Sequence, residues 1–413
     1  MKHLVVIGGG AAGFFCAINA AQQTAKLRVT IVEKSTKVLA KVKVSGGGRC
    51  NVTHACFDVN EMAKRYPRGQ HFVKKAFHHF FTTDTIDWFK KRGVALKAEA
   101  DGRMFPITNS SQTIIDCLLK EASKFEVDVK MKTEVKSISI EENGFFSLNL
   151  ANGEALKADC VCVAAGGFPK IEMFNWLMGT SHTIETPVPS LFTFNLPAHP
   201  ITALMGVVAT NATIKIVGTK LQQQGPILVT HWGLSGPAVL KLSAYAAREL
   251  SKQDWQFTIL INWLSTFTEE SLKVFLQEQR LNSPASKVLS KINVEIPHRL
   301  WEYLAKQAGV TEGMRWADLP ASIQNKWVKN MCAFECTVKG KTTFKEEFVT
   351  AGGIALSEID PHTMMSRKIP QLYFAGEIMD VDGITGGFNF QHAWTSGWIA
   401  ANSICQHVND MRK

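Results

Sequence analysis

The chain has 413 residues, 46% apolar and 20% charged, with a formal net charge of +10. That composition is globular and the length is enough for two or more cores, which excludes a disordered tail or a small disulfide-framed domain. Nowhere do about 18 apolar residues run uninterrupted, and no leader with a basic start and a cleavage site precedes the first strand-like run, so neither a membrane span nor export is expected. The nine cysteines are scattered through mixed segments, as befits a reducing cytoplasm.

In chain order, His3–Gly8 reads as a short buried strand, Ala11–Gln23 as an alanine-rich helix and Leu27–Glu33 as a β-branched strand, together a βαβ unit. Residues 64–97 carry nine basic side chains against two acidic ones. They fit a pair of amphipathic helices, with Phe72, Ala76, Phe77 and Phe80 at helical spacing and Gly93 as a cap. Two readings of that surplus stand: solvated basic faces, or a surface for an acidic partner such as RNA. A helix over Thr113–Ser123, a β-meander around residues 135–150 and an apolar strand from Cys160 follow. From Pro187 the texture changes to short strands (187–262) and then to capped helices (266–331). Thr266 and Glu269 have capping-box spacing, Pro284 and Pro297 suit first turns, and Gly309 stops a helix. Residues 187–343 are therefore expected to form an inserted domain between two parts of one nucleotide-binding domain, 1–186 and 344–413, the latter ending in a helix over Phe390–His407. Cys160, Cys162, Cys332 and Cys336 read as packing residues, and no metal is expected.

"VVIGGGAAG" places Gly8, Gly10 and Gly13 in G-x-G-x-x-G register between strand and helix, with Glu33 ending the next strand. Gly8 permits the tight turn, Gly10 lets a pyrophosphate approach the helix N-terminus, Gly13 allows close packing and Glu33 can accept from a ribose diol. Two later segments point to flavin. The strand ending in Ala165 and Gly166 closes in small residues, and Gly376, Glu377, Gly386 and Gly387 stand ahead of a helix whose amides suit an electron-rich pyrimidine edge. The triple glycine at 46–48, flanked by Ser45 and Arg49, implies that bare backbone is needed there.

"SGGGRCN" at 45–51, "THWGLSGPA" at 230–238, "TAGGI" at 350–354 and "AGEIMDVDGITGGFNFQHAWTSG" at 375–397 together resemble the BaiN/RdsA family of flavoproteins, also grouped with aminoacetone oxidases. The resemblance runs nearly end to end. It implies an α/β FAD-binding fold of the two-dinucleotide-binding-domain, glutathione-reductase type, with an inserted β-barrel-like and helical domain. It also implies that Gly46, Gly47 and Gly48 leave room for FAD while Lys41 and Ser45 approach its phosphate and ribityl oxygens. Arg49 and Asn51 would hold that loop or contact flavin, with a structural ion pair as the competing role of Arg49. The expected cofactor set is completed by Ala11, Ala12, Lys34, Cys50, Val135, Asp382, Phe388 and Asn389. The sequence departs from the family in two places: Leu39-Ala40-Lys41 stands where Gly-Arg-Lys is common, and the segment after Gly167 is shortened.

Activities attached to such flavoproteins are reduction of conjugated C=C bonds in steroid-like molecules, reduction of uridine to dihydrouridine in ribosomal RNA, and amine oxidation. The first two share hydride delivery to an activated alkene and protonation of its neighbour, and the basic stretch 64–97 favours ribosomal RNA. His231 and Cys50 are the candidate proton donors, each with a structural alternative. No redox cysteine pair accompanies the glycine turn, and one nucleotide fingerprint leaves NAD(P)H as a transient donor. A flavin-binding, RNA-associated or redox-sensing protein without turnover is the reading from another class.

Overall fold

The computed structural model describes residues 1–142, 144–290, 293–342 and 349–410, in two compact units. The first unit comprises Met1–Ser190 and Lys345–Lys413, and the second Leu191–Phe344. The expected texture change at Pro187 falls inside the strand Ile184–Ser190, which pairs with Val349–Ile354 of the first unit.

The first unit is built on a five-stranded sheet of β1 (Lys2–Ile7), β2 (Leu27–Val32), β3 (Asp128–Lys130), β4 (Cys160–Val163) and β5 (Leu372–Phe374). All pairings are parallel, in the order β5-β4-β1-β2-β3. A parallel sheet is covered on both faces, which is why its central strands are unbroken apolar runs: Leu4–Val6 and Val161–Val163 are fully buried. β1 is in register with β2 and β4 through Ile7, so their carboxyl ends align at Gly8, Glu33 and Ala164. That edge is where open α/β sheets bind ligands.

Two helices anchor this edge. α1 (Ala11–Gln23) is small-faced, and every residue from Ala11 to Ala20 is buried. It packs on α2 (Phe388–Asp410), which begins two residues before the expected Phe390 because Gly386 and Gly387, both at positive φ, turn the chain into it early. At Gly397 of α2 a Cβ would lie 2.7 Å from Ala12 O and 3.1 Å from Cys16 N, so the helices touch backbone to backbone.

The basic stretch forms helices Gln70–Ala76 and Thr82–Lys90, preceded by Val59–Ala63. Phe72, Ala76, Phe77 and Phe80 are buried, and Gly93 adopts φ 80 after the second helix. Two of the nine cations do not decorate a solvated face. Arg92 Nε pairs with Glu121 at 2.8 Å, and Arg68 pairs with Asp382, all four side chains being largely enclosed. Three-stranded antiparallel sheets over Val135–Ile140, Phe146–Leu150 and Ala155–Ala158, and over Thr53–His54, Arg103–Pro106 and Leu96–Ala98, complete the unit.

The second unit is a seven-stranded antiparallel sheet backed by helices. The segment Phe334–Lys339 pairs with Gln256–Asn262 at one edge, turns at Gly340, and continues as Lys341–Thr342 to pair with Thr193–Asn195 at the other, which closes the sheet into a barrel-like ring. Two expected caps move. Thr268, not Thr266, caps Glu269–Asn282, exchanging hydrogen bonds with Ser271, and Pro284 follows the end of that helix rather than opening another. Pro297 is the N-cap of His298–Ala308, and Gly309 ends it at φ 113. Cys336 is buried and Cys332 half-buried. Among the described residues no helix is long and apolar enough to cross a membrane.

Gly397→Val would force α1 and α2 apart. Overpacking of this kind costs about 1–3 kcal/mol, read as a lower denaturant midpoint at unchanged slope.

Candidate functional site

The glycine turn after β1 has two kinds of glycine. Gly8, at φ 115, has Ala164 O only 2.3 Å from where a Cβ would be, and a Cβ on Gly13 would lie 2.0 Å from Gly8 O. These two are glycine because protein backbone touches them. Gly10 has nothing within 4 Å of its would-be Cβ, and as N-cap of α1 it offers no side-chain cap to the first-turn amides of Ala11, Ala12 and Gly13. An uncapped helix start behind open backbone suits an anion. Glu33 is fixed beside it, its two carboxylate oxygens accepting from Gly9 N and Ser35 N, each at 2.8 Å. A cleft of about 260 Å³ opens here, lined by Gly8, Glu33, Lys34, Val135, Ala165 and Phe168 among others. Lys34 Nζ lies 5.2 Å over the Phe168 ring, and Gly166, at φ 77, borders open space.

The triple glycine is the second wall. After Ala40–Val44 the backbone leaves the helix at Ser45 (ψ 147), and Gly46, Gly47 and Gly48 follow at φ 58, 67 and 83. Three left-handed residues in succession would cost about 1–2 kcal/mol each for L side chains. Gly46 backs onto Phe105, whereas Gly47 and Gly48 face open space. Ser45 Oγ donates to Val42 O at 3.0 Å and Ser45 O accepts from Cys50 N at 3.0 Å. Arg49 both holds the loop and makes an ion pair: Nε donates to Gly46 O at 3.4 Å, Nη1 meets Glu99 Oε1 at 2.6 Å, and the guanidinium lies 4.0 Å over Phe105. Lys41 Nζ is engaged by Glu377 Oε2 at 2.6 Å, and Glu377 Oε1 accepts from Thr350 N at 3.0 Å. Leu39, standing where the family pattern has glycine, keeps a left-handed φ of 57 and donates its N–H to Gly9 O at 2.8 Å.

The third wall is the start of α2. Asn51 links it to the loop, its amide accepting from Gly387 N and donating to Thr53 O, both at 3.0 Å. Gly376, at φ 74, fits behind Ala12, and its N–H donates to Ser396 Oγ at 2.9 Å. Thr53 and Thr85 donate to Gln391 Oε1 at 2.6 and 3.0 Å, and Trp394 Nε1 donates to Val52 O at 2.9 Å. His392 is buried with no partner for either ring nitrogen, and burial lowers its pKa to about 4 against the opposing pull of the Gly376 backbone and the Glu377 charge.

Several sequence expectations change here. Cys50 is fully enclosed and burial pushes its thiol up to about 12, so it packs behind the loop and neither faces the cleft nor readily yields a proton. Asp382 is also fully enclosed; both its oxygens meet the Arg68 guanidinium and Ser190 Oγ donates to Oδ2 at 2.7 Å, so it braces the fold rather than touching a cofactor. Phe388 is buried beneath the His54 ring, 4.7 Å away, and Asn389 brackets Gly383 through hydrogen bonds of 2.8 and 2.9 Å. His231 belongs to the second unit, exposed in the turn between Gln222–Thr230 and Gly233–Ser235 with its ring edge-on to Trp232. Sequence reasoning passed over His54, Tyr66, Arg68, Gln391 and His392. His54 alone carried a local signal, as it closes the "SGGGRCNVTH" run; the partners of the others lie far along the chain.

The residues fit a dinucleotide with a flat ring system: open glycine backbone on two walls, an uncapped helix start, and a carboxylate at the neighbouring strand end. A family model described as "HI0933-like protein Rossmann domain" matches residues 2–403. A ribosomal RNA dihydrouridine synthase of Escherichia coli (strain K12) is 32% identical over 97% of each chain. A 3-dehydro-bile acid delta(4,6)-reductase of Clostridium scindens is 23% identical over 98% of this chain and 100% of its own. Among solved structures, a 3-ketosteroid-delta4-(5alpha)-dehydrogenase from Rhodococcus jostii RHA1 shares the fold at a TM-score of 0.50 and 12% identity, with 97% of both chains covered.

His392 makes stability depend on pH with a definite sign. Above its unfolded value of 6.5 both states are neutral; between 6.5 and about 4 only the unfolded chain takes up the proton, so stability falls as pH falls. From pH 7 to 5.5 this contributes a loss of about 1 kcal/mol. His392→Gln should flatten that part of the profile in chemical denaturation of the cofactor-free protein.

Proposed function

The chain belongs to the HI0933-like family, and from that premise we propose that it is an FAD-dependent oxidoreductase that reduces an activated C=C bond, with a uridine of ribosomal RNA as substrate. The observation that carries this reading is the end-to-end likeness to a ribosomal RNA dihydrouridine synthase in a chain whose glycine turn has open backbone at an uncapped helix start.

In this reading the first turn of α1 at Gly10, Ala11, Ala12 and Gly13 would hold the pyrophosphate, and Glu33 would accept from the ribose within the cleft walled by Val135 and Ala165, with Gly166 the next residue along the chain. Lys34 covers the cleft rim. Ser45 and Gly46–Gly48 pass along the flavin, with Arg49 and Asn51 stiffening that loop and Lys41 aligned through Glu377. Gly376, Gly386 and Gly387 bring α2 to the pyrimidine edge, where its N-terminal amides favour negative charge. FAD held there would, once reduced, supply the hydride equivalent for an electron-poor alkene carbon, and an acid is needed to protonate the adjacent one. With Cys50 enclosed, His231 is the candidate from the sequence that is left for that acid. NAD(P)H docking transiently is the proposed electron donor. Exposed Lys74, Lys75, Lys90, Lys91 and Lys97 support an RNA partner, because clustered cations release counterions from a phosphate backbone. An enone of the bile-acid kind would undergo the same hydride and proton chemistry, and the likeness to the Clostridium scindens reductase favours it as the second reading.

Deleting the gene should remove a dihydrouridine from the large ribosomal RNA, measured by mass spectrometry. The wild-type gene should restore it and Gly47→Val should not; an unchanged map in the deletion strain would overturn the RNA substrate. Lys74→Glu with Lys75→Glu should weaken RNA binding and lower the slope of log affinity against log salt by about 2.

A further inference from the structure

Phe57 is 60% exposed and is the one aromatic ring among the exposed large hydrophobic side chains of the described residues. It stands between strand Thr53–His54 and helix Val59–Ala63. That region is fastened to the glycine block ahead of α2 at three points. His54 Nδ1 is 3.0 Å from Gly386 O, Ile384 N donates to Arg65 O at 2.9 Å, and Tyr66 Oη donates to Phe388 O at 2.6 Å. The ring is therefore carried on a segment tied on both sides to the start of α2.

The charges around it are unequal in what they leave for a ligand. Asp58 caps the helix, accepting from Glu61 N at 2.9 Å, and Glu61 Oε1 is paired with Lys64 at 2.6 Å. Arg65 is exposed on the same segment, at the residue whose backbone oxygen is held by Ile384 N. A solvent-facing ring with a guanidinium on the same braced segment matches unpaired RNA: every base has a face that stacks on an aromatic ring, and the cation meets the phosphate. Helices Gln70–Ala76 and Thr82–Lys90 continue the positive surface with exposed Lys74, Lys75 and Lys90.

We propose that Phe57 is a stacking platform for an unpaired nucleobase of structured RNA, with Arg65 on the adjoining phosphate. The inference rests on the reading of this chain as an RNA-modifying flavoprotein and names the contact that holds the substrate beside its site.

Purified full-length wild type, Phe57→Leu and Phe57→Trp would be titrated by filter binding against large-subunit ribosomal RNA stripped of its proteins, taken from the deletion strain. Loss of one stacked base should weaken Phe57→Leu by about 5- to 100-fold, while Phe57→Trp stays close to wild type. Equal affinity of all three proteins overturns the platform, and so does equal loss in both variants, because tryptophan keeps a stacking face at that position. The proposed reaction fails separately. Ring-dependent RNA binding in a strain whose dihydrouridine map is unchanged by the deletion would retire that reaction and uphold the stacking contact.

Discussion

The closeness of α1 to its two neighbours is the constraint on which the site depends. On one side Gly13 sits so near Gly8 O that no side chain fits, and on the other Gly397 brings α2 against Ala12 and Cys16. Helix α1 is thus clamped between the first turn of the chain and its last helix. Any widening would move the glycine turn relative to the start of α2, and with it the spacing of the two helix N-termini. The many small residues of α1 follow from this: Ala12, Gly13 and Cys16 stand where backbone or helix approaches closely, while Phe14, Phe15 and Ile18 fill the rest of a helix buried almost all round.

Polar contacts then hold the loops within that frame, and they differ in weight. Lys41 and Glu377 join the triple-glycine region to the segment before α2, but the lysine is 53% exposed, so this pair contributes alignment more than stability. Arg68 and Asp382 are 11% and 0% exposed, and losing either would strand a buried charge, a destabilisation of about 3–5 kcal/mol. The Thr53, Thr85 and Gln391 cluster ties α2 to two other elements with all of its named groups satisfied. Much of the charge near the site is thereby committed to geometry, with exposed Lys34 at the cleft and further exposed cations on the helices of the basic stretch.

Features governed by near neighbours were readable in the sequence. The strand, turn and helix of residues 3–23 follow from an apolar run, glycine spacing and alanine content, and the need for bare backbone at 46–48 follows from three successive glycines. Roles set by distant partners were not. Nothing around Asp382 announces that Arg68 will enclose its carboxylate, and nothing around Cys50 says that the loop closes over its thiol. The cap at Thr268 shows a smaller version of the same problem: two threonines compete two residues apart, and packing of Leu272 and Leu276 selects the register.

The paired strands Ile184–Ser190 and Val349–Ile354 have a consequence for how such a chain can change over time. Ser190 lies opposite Val349, so the two strands that flank the insert in sequence end about 5 Å apart, as across any antiparallel pair. The whole second unit therefore occupies the place of a hairpin turn. A module seated at a junction that narrow can be lengthened, shortened or exchanged without shifting the strand register on either side, leaving the nucleotide cradle as the inherited chassis and the insert as the part free to diversify.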